Sequence, residues 1–349
     1  MRQFLGCMGA LMAAGFSLSA TVSAQGTPAE FAELSLQDLL HIPLYESGVA
    51  AERWTFSYHY SRLTLDGYQD GDSKIAKSEL LWRPGQTRSQ DNYPVLPTEI
   101  TQQVHLLAAA YQSDGWGLTL SLPYIKQSTD HISSIPGYDK FTIHSEGLGD
   151  VSVVGSYSLS QTLLSNWTLT AGLSFPTGSI DEKGDTPRAP GNQQLPYTMQ
   201  LGSGTYDLPL SLRYQSWGQH QWSLALSAKL RTGKNDRGYR LGNYWRLSGQ
   251  YDIQGFDWGQ PYIGAAYEDR QAIHGQDDDL TVAGAYPYPA SITNPDLFGG
   301  RQLDLKVGMR WSVAGHRFTS ELGAPLYQHL NGPQPREQWQ LRLKYELGI

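Results

Sequence analysis

The sequence predicts an all-β fold, a transmembrane antiparallel outer-membrane β-barrel of about 12 strands preceded by a short N-terminal helix. Three observations predict this fold class. Apolar residues recur at every second position along most of the chain, as in strands with one apolar face. Short turns and long polar loops alternate between these segments. Charged residues within the segments fall on the parity opposite to the apolar ones, as expected when lipid surrounds the barrel.

The stretch of residues 147–214 shows the alternation most plainly. It contains GLGDVSVVGSYSL, then WTLTAGLSFPTGS, then, after a polar loop, MQLGSGTYDLPLSLRY. In the second segment every odd position from Trp167 to Phe175 is apolar, and the positions between hold threonine, glycine and serine. The stretch therefore predicts three consecutive strands, each with one apolar face and one small or polar face.

Of the 349 residues, the first 24 have the pattern of a secretory signal peptide. A basic start at Arg2 precedes an apolar segment at 4–22, and residues 22–24 match the small-x-small pattern of a cleavage site. The alternative is an uncleaved anchor helix. Because Cys7, the one cysteine, lies in this segment, we expect no disulfide and no cysteine metal site in the exported chain.

Two regions follow the signal peptide. Residues 25–51 are predicted to form a periplasmic or lumenal segment, since apolar residues recur at helical spacing over about 29–41. Residues 52–349 are predicted to form the transmembrane barrel, with long loops at 130–147, 179–198 and 271–301. Its predicted strands are 53–65, 99–112, 116–129, three within 147–214, 222–231, 245–253, 261–270, 303–313, 316–329 and 339–349.

The charged residues of the predicted strands indicate which face is the interior. A charged side chain that faces lipid near the midplane lowers the stability of the barrel by about 2–4 kcal/mol. The alternate positions that hold the charged residues should therefore face the lumen. Barrels of eight strands are filled by side chains, whereas barrels of sixteen or more strands leave a water-filled channel. A barrel of about twelve strands lies between these cases, so the charges could either fill the lumen or line a polar channel. The candidate lumen charges are Arg213, Lys229, Arg231, Arg246, Asp252, Asp304, Lys306, Arg310, Arg342, Lys344 and Glu346.

The tryptophans agree with a membrane barrel. Aromatic girdles lie at the two membrane–water interfaces. Five tryptophans lie beside predicted short turns, namely Trp116, Trp167, Trp217, Trp222 and Trp258.

The segments GLGDVSVVGSYSL (147–159), LSFPTGS (173–179) and LGSGTYDLPLSLRY (201–214) resemble the outer-membrane protein family of the meta-pathway of phenol degradation. The resemblance implies a transporter-like barrel in the outer membrane of a Gram-negative bacterium, which passes small apolar or aromatic compounds. It implies no catalytic residues and no cofactor. The expected partners are outer-membrane lipid, lipopolysaccharide and a small apolar or aromatic molecule.

Other functional classes fit the sequence less well. A formal net charge of −7 argues against a nucleic-acid binder. His131-x-Ser133 has the spacing of an outer-membrane phospholipase, but no asparagine lies at a suitable place on the following strand, so we predict that the protein is not an enzyme. A lipid-modifying enzyme and a structural barrel with a blocked lumen are kept as alternatives, and the oligomeric state is left open.

The loop at 271–301 changes composition along its length. Its first part holds three consecutive aspartates at 277–279, which could bind Ca²⁺ or simply be solvated. Its second part reads AGAYPYPASITNPDLFGG. We expect Tyr286, Tyr288 and Phe298 either to form an apolar entrance to the barrel and contact a ligand, or to pack loop against loop.

Overall fold

The computed structural model describes residues 53–187 and 189–349, and the side chains of residues 189 and 190 are not described. The predicted signal peptide and the helix predicted at about 29–41 lie outside these residues.

The described residues form almost entirely antiparallel β-structure. Besides the strands there are one short helix, α1 (Lys77–Leu80), and four single 3₁₀ turns at Tyr197–Met199, Asp278–Leu280, Ser291–Thr293 and Pro295–Leu297. The strands are β1 (Arg53–Gly71), β2 (Ser73–Ile75), β3 (Val95–Ser113), β4 (Trp116–Ser133), β5 (Lys140–Leu148), β6 (Ser152–Gln161), β7 (Ser165–Ser174), β8 (Lys183–Thr186), β9 (Ala189–Gln194), β10 (Asp207–Trp217), β11 (Gln221–Arg231), β12 (Tyr239–Arg240), β13 (Tyr244–Asp252), β14 (Gln260–Arg270), β15 (His274–Gly275), β16 (Gly300–Val313) and β17 (His316–Gly348).

Eleven of these strands close into a barrel. The order around the ring is β17-β16-β14-β13-β11-β10-β7-β6-β4-β3-β1, and β1 pairs with β17 to close it. Every pairing in the ring is antiparallel. The prediction of a closed antiparallel barrel is therefore confirmed. Two small sheets, β8 with β9 and β12 with β15, lie outside the ring.

The long strand β17 contributes two neighbouring segments to the barrel wall. Residues 316–330 pair with β16, whereas residues 330–348 pair with β1. A straight strand of this length would measure roughly 110 Å at about 3.3 Å per residue, yet His316 Nδ1 lies 2.8 Å from the hydroxyl of Tyr345 near its other end. The chain must therefore fold back on itself, and its two halves supply the eleventh and twelfth of the predicted crossings.

Short strands occur in all three predicted long loops, and in one of them the strand pairs with a strand of the ring. The sequence predicts a loop at 130–147, but β5 (Lys140–Leu148) pairs with the second half of β4 there, while β6 pairs with its first half. The prediction was wrong because β5 has no apolar outer face: Thr142, His144 and Glu146 point outward and are exposed. Leu148, at the end of β5, is the one apolar residue at an outward position, whereas the buried Ile143 lies at an inward position.

The outer surface carries an apolar belt at the end of the barrel that holds the short turns. On β4 the outward residues Trp116, Leu118, Leu120 and Leu122 are exposed and apolar, and Lys126 follows them. Residues 116–124 span about 20–25 Å at about 3.3 Å per residue and a tilt of about 40°, close to the height of a transmembrane barrel's belt. No helix among residues 53–187 and 189–349 is long and apolar enough to cross a bilayer.

The interior has two different sides. Along β1, β3 and β4 a buried apolar cluster of Leu63, Leu65, Ile100, Val104 and Ile125, which Leu201 joins from a loop, lies among uncharged polar residues such as Gln102, Gln127 and Thr129. From β10 to β17 it is lined by buried charges. These charges and the inward-folded loops together determine what space is left inside the barrel.

The two faces of β16 allow a direct test of the wall. Leu305 is exposed in the apolar belt, and Ser312 lines a polar cavity at the short-turn end. We expect Leu305→Arg to lower the free energy of unfolding by about 2–4 kcal/mol if it lies near the midplane, because it places a charge in lipid, and Ser312→Arg to have a smaller effect. Urea unfolding of the refolded proteins measures both. A larger loss for Ser312→Arg would mean that the lipid-facing and lumen-facing sides of β16 are exchanged.

Candidate functional site

The three sequence motifs at 147–159, 173–179 and 201–214 meet at Asp150, which lies between the end of β5 and the start of β6. Asp150 is fully buried. Its carboxylate accepts hydrogen bonds from the backbone N–H of Gly178 (2.6 Å) and from the backbone N–H and hydroxyl of Ser203 (2.8 and 2.9 Å). Hydrogen bonds from backbone N–H groups to a carboxylate are charge-assisted and strong. Asp150 thus fixes the point at which the chain after β7 leaves the wall and the point at which it returns before β10.

Two glycines allow this crossing. A Cβ on Gly178 would lie 2.6 Å from the carbonyl oxygen of Leu201, and one on Gly202 would lie 2.3 Å from the carbonyl oxygen of Gly178. Real side chains do not approach backbone so closely, so glycine is needed at both positions. The glycines of LSFPTGS and LGSGTYD are explained by this contact.

Between these points, residues 175–206 fold into the barrel. Three bonds attach the loop to the wall: the Gln127 amide donates to the carbonyl of Gln200 (3.2 Å), and the hydroxyls of Ser145 and Thr129 donate to the carbonyl (2.7 Å) and sulfur (3.2 Å) of Met199. Met199 is fully buried. The loop therefore narrows the lumen at the long-loop end.

The loop at 271–301 closes the same end of the barrel. We call the buried group at its centre the mouth cluster. Phe298 packs edge-on against Tyr197, which packs edge-on against Tyr239, with ring centroids 5.6 and 4.8 Å apart. Phe298 is therefore a core residue, not an exposed lining. The members of the mouth cluster are Val95, Tyr197, Tyr239, Leu241, Ile273, Leu280, Ala290, Ile292 and Phe298.

The two predicted tyrosines lie apart from that cluster. Tyr288 packs against a second group that includes Tyr68 and Tyr93, and its hydroxyl donates to Gln276 (3.2 Å). Tyr286 lies over the guanidinium of Arg88, 5.5 Å from the ring centroid. In the structure, both residues make loop-on-loop contacts.

Arg237 joins three loops over the mouth cluster, and we call this group the Arg237 clamp. Its guanidinium contacts Asp181 at 2.8 Å and both Asp277 and Asp279 at 3.1 Å. Burial raises the pKa of the Asp277 carboxyl, and the charge of Arg237 opposes that rise. Among the residues that the structure describes, no group of three acidic, histidine or cysteine side chains could hold a metal ion; two of the three consecutive aspartates bind Arg237 instead.

A small cleft lies between the wall and these loops, and we call it the apolar cleft. Its volume is about 50 Å³. Its floor is formed by His131 of β4 and Phe141 of β5, whose rings stack in parallel with centroids 4.6 Å apart. The lining residues are Val95, His131, Phe141, Ile143, Thr186, Pro187, Gln194, Pro196, Leu280, Pro289, Ala290 and Thr293. Tyr286, Tyr288 and Phe298 do not line it.

The predicted lumen charges lie on the interior side of β10 to β17, and most of them are paired. Glu268 binds Arg246 and Arg270, each at 3.1 Å. Glu321 lies between Lys306 (3.5 Å) and Arg342 (3.3 Å). Further pairs are Arg231 with Asp207, Arg310 with Asp252 (3.0 Å) and Lys344 with Glu346 (2.9 Å). Asp304 accepts from Gln302 (2.7 Å), and Arg213 donates to Ser223 (3.2 Å). Lys229 is buried on the same side.

A larger cavity of about 440 Å³ opens at the short-turn end. Arg310, Arg317 and Glu346 line it together with residues of the turn at 253–260. The polar cavity therefore lies at the short-turn end of the described barrel, and the apolar cleft lies at the long-loop end.

His131 and Ser133 both lie on the inward face of β4, but each binds a different backbone group. His131 Nδ1 lies 3.0 Å from the carbonyl oxygen of Thr129, and the Ser133 hydroxyl accepts from the N–H of Ile135 (2.9 Å). This pair gives no support to a lipid-modifying enzyme.

The sequence does not predict the roles of Asp150 and Arg237 or the presence of the apolar cleft. The motif around Asp150 is recognisable, but nothing in it shows that the acid faces inward. The cleft draws its lining from five separate segments, so no local pattern reveals it.

A closed barrel with an apolar outer belt, a charged interior and inward-folded loops defines an outer-membrane-type β-barrel. Models of known protein families give no match to this chain. A search of curated protein sequences also gives none. The meta-pathway family suggested by the motifs is therefore a prediction without confirmation.

Solved structures do resemble it. An outer-membrane channel from Pseudomonas putida F1 aligns with a TM-score of 0.55 and 16% identity over 88% of this chain and 99% of that one. A FadL homologue from Pseudomonas aeruginosa gives 0.42 and 11% over 94% and 99% of the chains. The toluene transporter TbuX of Ralstonia pickettii gives 0.38 and 9% over 85% and 90%. The first TM-score shows a shared fold, whereas the other two TM-scores are too low to support an argument.

Removing the Asp150 carboxylate should destabilise the barrel. Asp150→Ala leaves the buried backbone N–H groups of Gly178 and Ser203 without their acceptor, whereas the Ser203 hydroxyl can still donate to the carbonyl of Thr205, and we expect a loss of about 2–4 kcal/mol in the free energy of unfolding. Asp130→Ala is the matched control, since that aspartate bonds only an exposed threonine and should change stability by less than about 0.5 kcal/mol. Urea unfolding followed by the mobility of unboiled samples on gels measures both. Equal midpoints for the two variants would contradict the central role of Asp150.

Proposed function

We propose that this protein is an outer-membrane barrel for the passive passage of small apolar or aromatic compounds. The observation that carries the proposal is the apolar cleft at the long-loop end, which lies over a barrel whose other end holds a polar cavity. Ligand sites are concave, mostly apolar and furnished with few polar groups. The barrel from Pseudomonas putida that shares this fold is an outer-membrane channel, and we extend that role to this chain.

The lengths of the connections give the orientation that we propose. Outer-membrane barrels place short turns in the periplasm and long loops outside. The turns between β3 and β4 and between β16 and β17 are short, so the apolar cleft faces the external medium and the polar cavity faces the periplasm. A signal peptide at residues 1–24 would direct the chain there. Lipid and lipopolysaccharide would then surround the apolar belt.

A solute can pass only if the loops at the mouth of the barrel change conformation. The mouth cluster and residues 195–201 fill the space between the cleft and the lumen. Parts of these loops are held by side-chain contacts, and the small sheets within them are separate from the wall. We propose that the loops move while the wall stays intact.

The filled mouth also favours a second candidate, a structural barrel with a blocked lumen. The two candidates differ in one measurable property. Single-channel recording of the purified protein in a planar bilayer should show opening events if the mouth can move. A permanently silent protein, with no uptake of aromatic solutes, would favour the structural role.

Narrowing the apolar cleft should reduce uptake. Thr186 lines the cleft on β8, and Lys183 is exposed on the same strand. We expect Thr186→Trp to reduce toluene uptake by roughly tenfold, equivalent to about 1.4 kcal/mol, because the indole occupies the apolar space. Lys183→Trp should leave uptake unchanged. Uptake of radiolabelled toluene by cells with matched barrel levels measures both, and equal uptake in all three proteins would exclude the cleft as the path.

Loosening the Arg237 clamp should open the mouth more often. The pairs of Arg237 with the exposed Asp181 and Asp279 contribute about 0.2–1 kcal/mol each, and a further pair joins it to the buried Asp277. From the exposed pairs alone, Arg237→Gln should raise the open fraction in single-channel records by about 2- to 5-fold. Arg301→Gln is the control, since it breaks an exposed pair with Asp269 on the wall. An unchanged open fraction in Arg237→Gln would show that the clamp does not hold the mouth closed.

A further inference from the structure

The floor of the apolar cleft contains one polar ring in an apolar setting. The His131 side chain is only 3% exposed, and Val95, Phe141 and Ile143 line the same cleft. Burial of a polar group among such residues is costly unless it is hydrogen-bonded. The hydrogen bonds of His131 therefore show what the cleft can recognise.

One ring nitrogen of His131 is already used. Nδ1 lies 3.0 Å from the carbonyl oxygen of Thr129. A carbonyl oxygen only accepts, so Nδ1 must carry the proton and donate. Apolar surroundings disfavour the charged imidazolium, and in the neutral ring the other nitrogen, Nε2, is then an acceptor.

Nε2 has no partner among the described residues. It makes no hydrogen bond in the structure, and it does not belong to the fully buried atoms that lack a partner, so it keeps accessible surface. The open space that the ring lines is the apolar cleft. Nε2 therefore offers an unused acceptor to whatever occupies that space.

A second lining residue has the same character. Gln194 is buried, and its amide nitrogen donates to the carbonyl of Ile180 (2.8 Å). That bond fixes the orientation of the amide, and its oxygen is left buried without a partner. The hydroxyl of Thr293, another lining residue, already donates to the carbonyl of Ala290 (2.8 Å). Both unsatisfied polar atoms of the lining are thus acceptors, but the Gln194 oxygen is fully buried, so His131 Nε2 is the one that a ligand can reach.

We propose that the apolar cleft selects small flat rings that carry a hydrogen-bond donor, such as a hydroxyl or an amine, and that His131 Nε2 accepts that hydrogen bond. This inference rests on the proposed function and narrows its substrate class. The ring lies among Phe141, Ile143 and Pro289, and the donor points to His131. A ring without a donor can enter, but it leaves Nε2 unsatisfied.

Three probes of similar size separate the contributions. Benzyl alcohol has a ring and a donor, benzyl methyl ether has a ring and only an acceptor, and toluene has the ring alone. Binding to the purified full chain in detergent micelles is measured by equilibrium dialysis against protein-free micelles. We expect benzyl alcohol to bind about 3- to 10-fold more tightly than the ether after correction for micelle partition, the effect of one neutral hydrogen bond.

Two variants assign the preference to the residue. His131→Phe keeps an aromatic ring stacked on Phe141 and removes the acceptor, so it should bind benzyl alcohol and the ether equally while toluene binding changes by less than about twofold. His144→Phe is the control: His144 points outward on the neighbouring β5 and does not line the cleft. That variant should keep the full preference.

The outcomes distinguish the inference from the proposed function. If none of the three probes binds the parent protein, the cleft is not a ligand site and the proposed function fails with it. If the parent binds all three equally, or if His131→Phe retains the preference for benzyl alcohol, the passage role stands and the inference about His131 is overturned. The comparison within the parent protein does not depend on whether the variant folds.

Discussion

The buried carboxylate of Asp150 is the interaction on which the rest of the structure depends. At that point the wall divides, because β5 and β6 pair with different halves of β4. The chain after β7 must either continue the wall or turn inward. The bonds of Asp150 to Gly178 and Ser203 hold both ends of residues 175–206 beside the split, and the glycine crossing lets the two ends pass. The loop that narrows the lumen and borders the apolar cleft exists in this form because these ends are fixed.

The charged side chains lie in the interior of the barrel because lipid surrounds its outer face. A charge on the outer face of the belt would cost several kcal/mol, so the long charged side chains of β10 to β17 within the belt must point inward and find partners there. Carboxylates such as Glu268 and Glu321 each form ion pairs with two cationic side chains. The opposite side, along β1, β3 and β4, combines an apolar cluster with uncharged polar residues such as Gln102 and Gln127. Ion pairing is therefore concentrated on one side of the interior.

Sequence alone predicts the parts of this fold that touch lipid. The two-residue period of segments such as 167–175 is strong because lipid demands an apolar residue at every outward position. The period weakens beyond the belt, where the outward Thr142, His144 and Glu146 of β5 face water, and the sequence therefore predicts a loop in place of that strand. The site is less predictable for a different reason. The composition of loop 271–301 leaves open whether its aromatic residues line an entrance or pack loop against loop, and in the structure Phe298 belongs to a core that other loops complete. Which residues line the cleft depends on how distant segments meet, and no periodicity records that.

The wall and the mouth are held by different kinds of interaction, and this difference is what allows one to move without the other. In the ring each strand is paired on both sides, so opening it would expose many backbone groups to lipid at several kcal/mol each. In the mouth the small sheets are separate from the ring, and two of the three ion pairs of the Arg237 clamp have exposed carboxylates and are of modest strength. Local opening draws on the elements of lowest stability. For the passage that we propose, the long-loop end is therefore the part of this barrel that we expect to open while the lipid-facing ring remains intact.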